Sequence, residues 1–497
     1  MQYILSLDQG TSSSRAIVYH TDGTVLSVAQ HEFDMHFPAD GWVEQDPEVL
    51  WQTTLQAGRD AIAQAAIEPQ QIACIGITNQ RETTLLWDAL SQQPLHNAIV
   101  WQDRRTAAVC ETLRGAQIEG HPAPAVIRQQ TGLVIDPYFS GTKLAWLLEH
   151  VDSVQRDNPD LRFGTVDTFL IDRLTCGQAH VTDASNASRT MLYDINKQAY
   201  SQPLLDYFDI PAHILPQVQD SAGHFGIADA QWFGAPIPIT GVAGDQQAAL
   251  VGQACFEPGM SKSTYGTGCF VMTNTGTHAV QSNHQLLTTV AYRINGQVTY
   301  ALEGSLFIAG VALKWLRDNL RLIDDVAETQ AAYERTAGDT GGVYLVPGFT
   351  GLGAPHWNPQ VRGMLSGLSL DTTRDQVITA FLQGVVYQTD ELLTAMAADG
   401  AAVERLRVDG GMVVNDALCQ YLSDILDIPV ERPRDVETTA LGAALLAGVG
   451  QGLYQDLAAA AQSWQLQAQF SPALDDAIRQ ERKAAFHVAT RQALAGH

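Results

Sequence analysis

Three short stretches gather small residues and hydrogen-bond donors directly after apolar runs. In "ILSLDQGTSSSRAI", Asp8 and Gly10 are followed by Thr11, Ser12, Ser13 and Ser14. Glycine lets the backbone approach an anion, and amides with hydroxyls supply donors, so this turn suits phosphate. Asp8 cannot hold phosphate itself. A carboxylate there suits Mg²⁺, which keeps much of its hydration and takes one or two carboxylates. Thr264 to Gly268, "TYGTG", offers a second such turn, and the paired glycines of Asp409-Gly410-Gly411 leave room for a flat group against backbone. A single Gly-Thr turn is usually only a turn; three, arranged in duplicated halves, are a stronger signal. Other site patterns are absent: there is no GxxxxGK[ST], GxGxxG or GxSxG, and the histidines around "HEFDMH" are one residue too far apart for HExxH.

Two further candidates sit at strand ends. Arg81 and Glu82 follow the buried run "QIACIGITN", and α/β sites form at the carboxyl ends of strands. A guanidinium donates to hydroxyls and a carboxylate accepts from them. Asp245 opens a helix after a glycine turn in "PIPITGVAGDQQAALVGQ"; its plain alternative is an N-cap, which Asp favours.

The elements that must position these groups read as alternating strands and helices. "YILSLD", "SRAIVYH" and "VLSVAQHEF" form a meander, the last two joined by the Asp-Gly turn "TDGT". The turn after Asp8 therefore joins two strands, whereas a P-loop opens a helix. Val49 to Ala66 and "KLAWLLEHV" carry helical periodicity, and "GMSKSTYGTGCFVMTNTG" repeats the hairpin pattern. "SLDQGTSSSRAI" and "STYGTGCFVM" thus begin similar units, a weak internal duplication with a boundary near Gly244 to Pro258. Two α/β domains facing a cleft are expected, and the last thirty residues read as helical.

Bulk properties agree. The 497 residues exceed one ordinary core, with 45% apolar and 17% charged residues. The net charge of −25 argues against nucleic acid, whose binding rests on Lys and Arg. Six scattered cysteines without CxxC spacing fit a reducing compartment. No signal peptide and no membrane span are expected, so the expected location is cytoplasmic.

The chain resembles the FGGY carbohydrate kinases, through "LDQGTSSSRA", "GWVEQDPEVLW", "GITNQRETTLLWD", "TGLVIDPYFSGTKLAW", "GVAGDQQAALVGQ", "STYGTGCF", "FTGLGAPHW", "LRVDGGMVVND" and "ETTALGAALLAG". The likeness runs to about Gly450, and "YFSGTKLAW" and "GMLSGLSLDTTRDQVITAFLQG" look like the two family signatures. It implies two ribonuclease-H-like α/β domains, of the kind found in actin, hexokinase and chaperone ATPases, facing an ATP cleft. The implied parts are an N-terminal domain over 1–250, a C-terminal domain over 251–450 and a helical tail over 451–497.

Within the family the likeness is greatest to members acting on glycerol. The implied reaction is phosphorylation of glycerol by ATP to sn-glycerol 3-phosphate, with Mg²⁺ near Asp8 and Asp245, and with Asp245 as general base. The implied substrate residues are Arg81, Glu82, Tyr138, Asp245 and Gln246, walled by Trp101 and Phe270. The implied nucleotide residues are Thr11, Ser12, Ser13, Arg15, Thr267, Gly310, Lys314, Gly411 and Asn415. A homodimer or homotetramer is implied by family analogy, with no nucleic-acid or membrane partner. The sequence departs from the family at Lys314, where glutamine is usual, at His356 and Asn358 in "APHWNP", and at Gly234-Ala235. There "AQWFGAPIPI" lacks the glycine-arginine element for a sugar bisphosphate, so inhibition by fructose 1,6-bisphosphate is expected to be weak or absent. The rivals are another polyol or pentulose kinase of the family, which "NQRETT" argues against, and an actin- or chaperone-like ATPase, for which no client-binding domain is visible.

Overall fold

The computed structural model describes residues 2–358 and 360–496. Thirteen strands form one sheet: β1 (Tyr3–Gln9), β2 (Ser13–His20), β3 (Val25–Glu32), β4 (Ile72–Asn79), β5 (Ala222–Ala228), β6 (Ile237–Gly244), β7 (Met260–Tyr265), β8 (Cys269–Gly276), β9 (Leu287–Ile294), β10 (Gln297–Leu306), β11 (Arg405–Asp409), β12 (Val430–Pro433) and β13 (Leu466–Phe470). Their order across the sheet is β13-β12-β11-β7-β8-β10-β9-β5-β6-β4-β1-β2-β3.

The duplication read in the sequence is a duplication of topology. In the first half β3, β2 and β1 form an antiparallel meander, and β4 and β6 continue it in parallel with β1. In the second half β10, β8 and β7 form the meander, and β11 and β12 continue it in parallel with β7. This is the strand plan expected of two ribonuclease-H-like domains. The two halves of the sheet meet at a single paired position, Ala222 opposite Ile294.

Helices cover both faces. The helix α1 (Pro47–Ala65) starts at an Asp46 cap with Pro47 behind it, and buries Leu50, Trp51, Leu55, Ala61 and Ile62. They pack with Leu5, Leu7, Ile75, Ile77 and Ile239 of the first half of the sheet. On the other face lie α2 (Asp245–Gly252) and α3 (Thr438–Gly450). α3 comes from the far end of the second half, yet it lies on the first half's strands. Ser6 Oγ donates to the Ala440 carbonyl at 2.7 Å and Thr240 Oγ1 to that of Ala447 at 2.8 Å. Its apolar face joins Ile4, Cys74, Ala243, Ala248 and Leu250 in one cluster. Glycines permit this closeness. A Cβ on Gly442 would overlap the Ala248 carbonyl, and one on Gly252 would overlap that of Thr438.

Residues 466–470, inside the segment expected to be helical, form β13, which pairs antiparallel with β12 at the sheet edge. "LQAQF" alternates apolar and polar residues, the period of a strand with one wet face. The helix Asp476–Ala495 then follows. Among the described residues no helix is long and apolar enough to cross a membrane.

Candidate active site

The parallel ladder of the first half sets the site. Asp8 pairs with Thr78, Gln9 with Asn79, Ala243 with Thr78 and Gly244 with Asn79. The ends of β1, β4 and β6 therefore line up, and the next residues of each chain segment enter one space. Gln80 ties the row together, its Nε2 donating to Gln9 Oε1 at 3.0 Å and Gln45 Oε1 at 2.8 Å.

That space is a cavity of about 700 Å³ between the halves. The first half contributes Thr11, Ser12, Arg81, Glu82, Trp101, Tyr138, Asp245 and Gln246; the second contributes Thr267, Gly268 and Phe270. The two glycine turns thus face each other. Trp101 packs edge-on to Tyr138, with ring centroids 5.6 Å apart, and its Nε1 donates to Thr11 Oγ1 at 3.0 Å. Burial pushes the Tyr138 phenol well above its ordinary value, so it stays a neutral hydroxyl.

Arg81 and Glu82 are both buried, at 2% and 1% exposure. Adjacent charges can be buried only when each is paired. Arg81 Nε reaches Asp245 Oδ1 at 3.2 Å, and its terminal nitrogens contact Glu303 at 2.5 and 3.1 Å. Glu82 Oε1 accepts from Arg189 Nε at 2.6 Å, and Arg189 also donates to Glu303 at 2.9 Å. Burial pushes the carboxyl of Glu303 up, but Arg189 and Arg81 outweigh it and hold it at about 2. Burial also raises Glu82, and there the two arginines only partly compensate. Glu82 Oε2 makes no hydrogen bond among the described residues and remains an acceptor at the cavity.

Glu82 adopts a left-handed backbone, φ 61°, inside a tight turn in which Thr83 N donates to the Arg81 carbonyl at 2.7 Å. A non-glycine residue held there costs on the order of 1–3 kcal/mol and persists where its surroundings enforce it. Here Ser140 Oγ and Thr84 Oγ1 both bond the Glu82 carbonyl at 3.0 Å. Lys143, one turn along the same helix as Ser140, donates to the Tyr138 carbonyl at 2.5 Å, and burial pulls its amine down to about 7.

Asp245 begins α2, and its side chain is one-third exposed to the cavity. Gly244 takes the cap position, with φ −59° and ψ 152°, so Asp245 is not the N-cap. Asp8 is half-buried and is not among the residues lining the cavity, but it lies near enough to Asp245 to feel its charge. Burial raises its carboxyl to about 7, with Arg15 lowering it and Asp245 raising it further. Gln246 is 8% exposed, and its Oε1 accepts from Lys262.

A second cavity, of about 530 Å³, lies in the second half and is lined by Gly411 and Asn415 with Leu313, Thr329, Gln330 and Met412. Asn415 caps a helix through Leu418 N at 3.1 Å, and its Nδ2 donates to Thr329 Oγ1 at 3.0 Å. Gly410 is left-handed at φ 90°, and nothing lies within 4 Å of where a Gly411 side chain would start. Gly310 N donates to the Gly266 carbonyl at 2.9 Å, holding the second turn against a helix start. Ser13 lies at the first turn, its carbonyl accepting from Gly10 N at 2.9 Å. Two expected residues point elsewhere: Arg15 pairs with Glu437 of the opposite half, and Lys314 is exposed, outside the lining of both cavities.

Sequence reasoning missed Arg189, Glu303 and Lys262. Each is a lone charge inside a stretch that otherwise reads as buried: "SNASRTML", "VTYALEGSL" and "GMSKSTYG". That is the signal that could have found them, since unpaired charges are almost never buried.

Comparison with known proteins agrees with this construction. Residues 3–252 match the N-terminal domain, and residues 262–450 the C-terminal domain, of the FGGY family of carbohydrate kinases. A glycerol kinase of Ectopseudomonas mendocina (strain ymp) is 55% identical over 96% of each chain. The crystal structure of Plasmodium falciparum glycerol kinase with ADP superposes with a TM-score of 0.93 at 33% identity, covering 99% of this chain and 98% of that one. A ligand-bound xylulose kinase from Lactobacillus acidophilus shares the fold, with a TM-score of 0.88 at 19% identity over 100% of this chain and 99% of its own. The two facing halves, the paired glycine turns between them and the match of both domains make this chain a member of the FGGY family of carbohydrate kinases.

Proposed function

We propose that the protein transfers the γ-phosphoryl group of ATP to a terminal hydroxyl of glycerol, giving sn-glycerol 3-phosphate, with Asp245 as general base. The observation that carries this is the convergence in one cavity of Asp245, the Arg81–Glu82 pair and both glycine turns. The many relatives named glycerol kinase at 52–56% identity support the choice of substrate.

Arg81 steers the Asp245 carboxylate through its Nε, leaving the second oxygen to take the hydroxyl proton as the phosphoryl group moves. Glu82 Oε2 accepts from a second hydroxyl, while Tyr138 and Gln246 add contacts at the polyol and Trp101 and Phe270 bound its carbons. Amides and hydroxyls of the turns at Thr11–Ser13 and Thr267 receive phosphate oxygens, and Arg15 exchanges Glu437 for phosphate. The pocket around Gly411 and Asn415 takes the adenosine. Such catalysis rests on positioning and charge neutralisation.

Asp8 and Asp245 fit a divalent cation. They are hard oxygen donors close enough to feel each other's charge, and the raised carboxyl of Asp8 marks an acid without a full counter-charge. Among the described residues no three acidic, His or Cys side chains gather as a metal site, so two carboxylates with water and phosphate oxygens suit Mg²⁺. Bound there, it would neutralise charge on the transferring phosphoryl group. A cytoplasmic dimer or tetramer is proposed on family analogy alone.

A coupled ADP-release assay with Mg-ATP tests the reading, comparing glycerol with xylulose, erythritol and dihydroxyacetone. Glycerol should give the highest kcat/KM, and Asp245→Asn should lose about 10²–10⁴-fold in kcat, the usual worth of a general base. Turnover with another polyol alone would replace the substrate; polyol-independent hydrolysis would overturn the kinase reading.

A further inference from the structure

Lys262 lies on β7, two residues before Thr264, and is wholly buried. Its ammonium donates to Gln246 Oε1, to Thr264 Oγ1 at 3.1 Å and to the Phe270 carbonyl at 3.3 Å. Three acceptors match the three N–H bonds of an ammonium. Burial pushes the amine below its ordinary value, with Asp409, Asp245 and Glu303 opposing that and Arg81 adding to it.

This contact decides how Gln246 is read by a ligand. A primary amide has an acceptor end and a donor end of nearly equal shape, and a free one presents either. Lysine only donates, so the oxygen must turn to Lys262 and the NH₂ must turn away. Gln246 lines the cavity, and its Nε2 makes no hydrogen bond among the described residues. Its backbone N donates to Asp245 Oδ1 at 2.7 Å, so the residue's main chain is tied to the proposed base.

We propose that Lys262 is a positioning residue for substrate selection: from the second half of the molecule it locks the Gln246 amide as a donor facing the polyol. One side of the pocket then offers an acceptor, Glu82 Oε2, and the other a donor, Gln246 Nε2. Lys262 and Gln246 belong to different halves, so the donor is set only while the halves are together.

The inference rests on glycerol being the substrate, and glycerol-dependent ADP release by the wild type establishes that first; its absence defeats that reading and leaves Lys262 aside. Steady-state constants are then measured for Lys262→Met, Lys262→Arg, Gln246→Leu and the double variant K262M/Q246L. One hydrogen bond is worth on the order of 1 kcal/mol, so Lys262→Met should raise glycerol KM about fivefold, with kcat within about threefold and ATP KM unchanged. Lys262→Arg, which keeps a donor to the amide oxygen, should recover most of that loss. The double variant should be no worse than Gln246→Leu, because Lys262 acts through Gln246. Losses that multiply in the double variant, or an ATP KM that rises as much as the glycerol KM, would overturn the assignment. If Lys262→Met does not fold, the same cycle with Lys262→Gln decides between these outcomes.

Discussion

Glu303 binds two arginines at once, and it reaches them from the opposite half of the molecule. Arg81 and Arg189 both point at it, and Glu82 needs Arg189 in turn. Counting Lys262, and Asp245 at the cavity wall, three cations face three anions, and Arg81, Glu82, Arg189 and Glu303 are buried only because each has the others as partners. Removing one partner of a buried pair leaves the other uncompensated, at about 3–5 kcal/mol. Glu303→Gln should therefore lower the urea midpoint of unfolding by an amount equivalent to about 3 kcal/mol. It should also raise glycerol KM at least about tenfold, because Arg81 is no longer held. A variant with both values unchanged would show that Arg81 and Arg189 find other partners. This network was the least legible part of the site. The bond from Arg189 to Glu82 spans 107 positions and that from Arg81 to Glu303 spans 222, and no local pattern encodes such a separation.

Elements built from local rules were legible. The meander around Asp8 and the hairpin at "TYGTG" follow from alternation and turn chemistry within a dozen residues, and β1–β2 and β7–β8 are antiparallel as that reading requires. The edge strand β13 was missed because a short strand with one wet face carries a weak period and draws its hydrogen bonds from β12, some thirty residues away. The crossing of α2 and α3 was also invisible, since it depends on Gly252 and Gly442 meeting without side chains. A methyl group there has backbone as its neighbour, which cannot rotate aside. Gly442→Ala should destabilise the protein by about 1–3 kcal/mol, the usual cost of overpacking, seen as a lower melting temperature. Because α2 begins with Asp245, kcat should fall as well; a melting temperature equal to wild type would mean that the helices slide apart freely.

For the whole molecule, the net charge of −25 sets how its two substrates arrive. Mg-ATP is an anion approaching an anionic protein, whereas glycerol is neutral. Salt shortens the reach of that repulsion, from a Debye length of about 30 Å at 0.01 M to about 8 Å at 0.15 M. Hence kcat/KM for ATP should rise severalfold over that range while the value for glycerol stays flat; a fall for ATP would mean that the local cations of the cleft dominate its approach. The molecule is also finished late. α3, which closes one face of the first half's sheet, is encoded from about two hundred positions after β6 to more than four hundred after β1. During synthesis at ~5–20 residues per second, Ala243 stays without its covering helix for roughly 10–40 s, and Ile4 and Cys74 for about twice as long. A nascent chain halted before residue 438 should be cut readily by added protease within its first half, and one halted well beyond residue 450 should resist. The ribosome thus releases a half-covered sheet into the cell for tens of seconds, a natural window for chaperone capture.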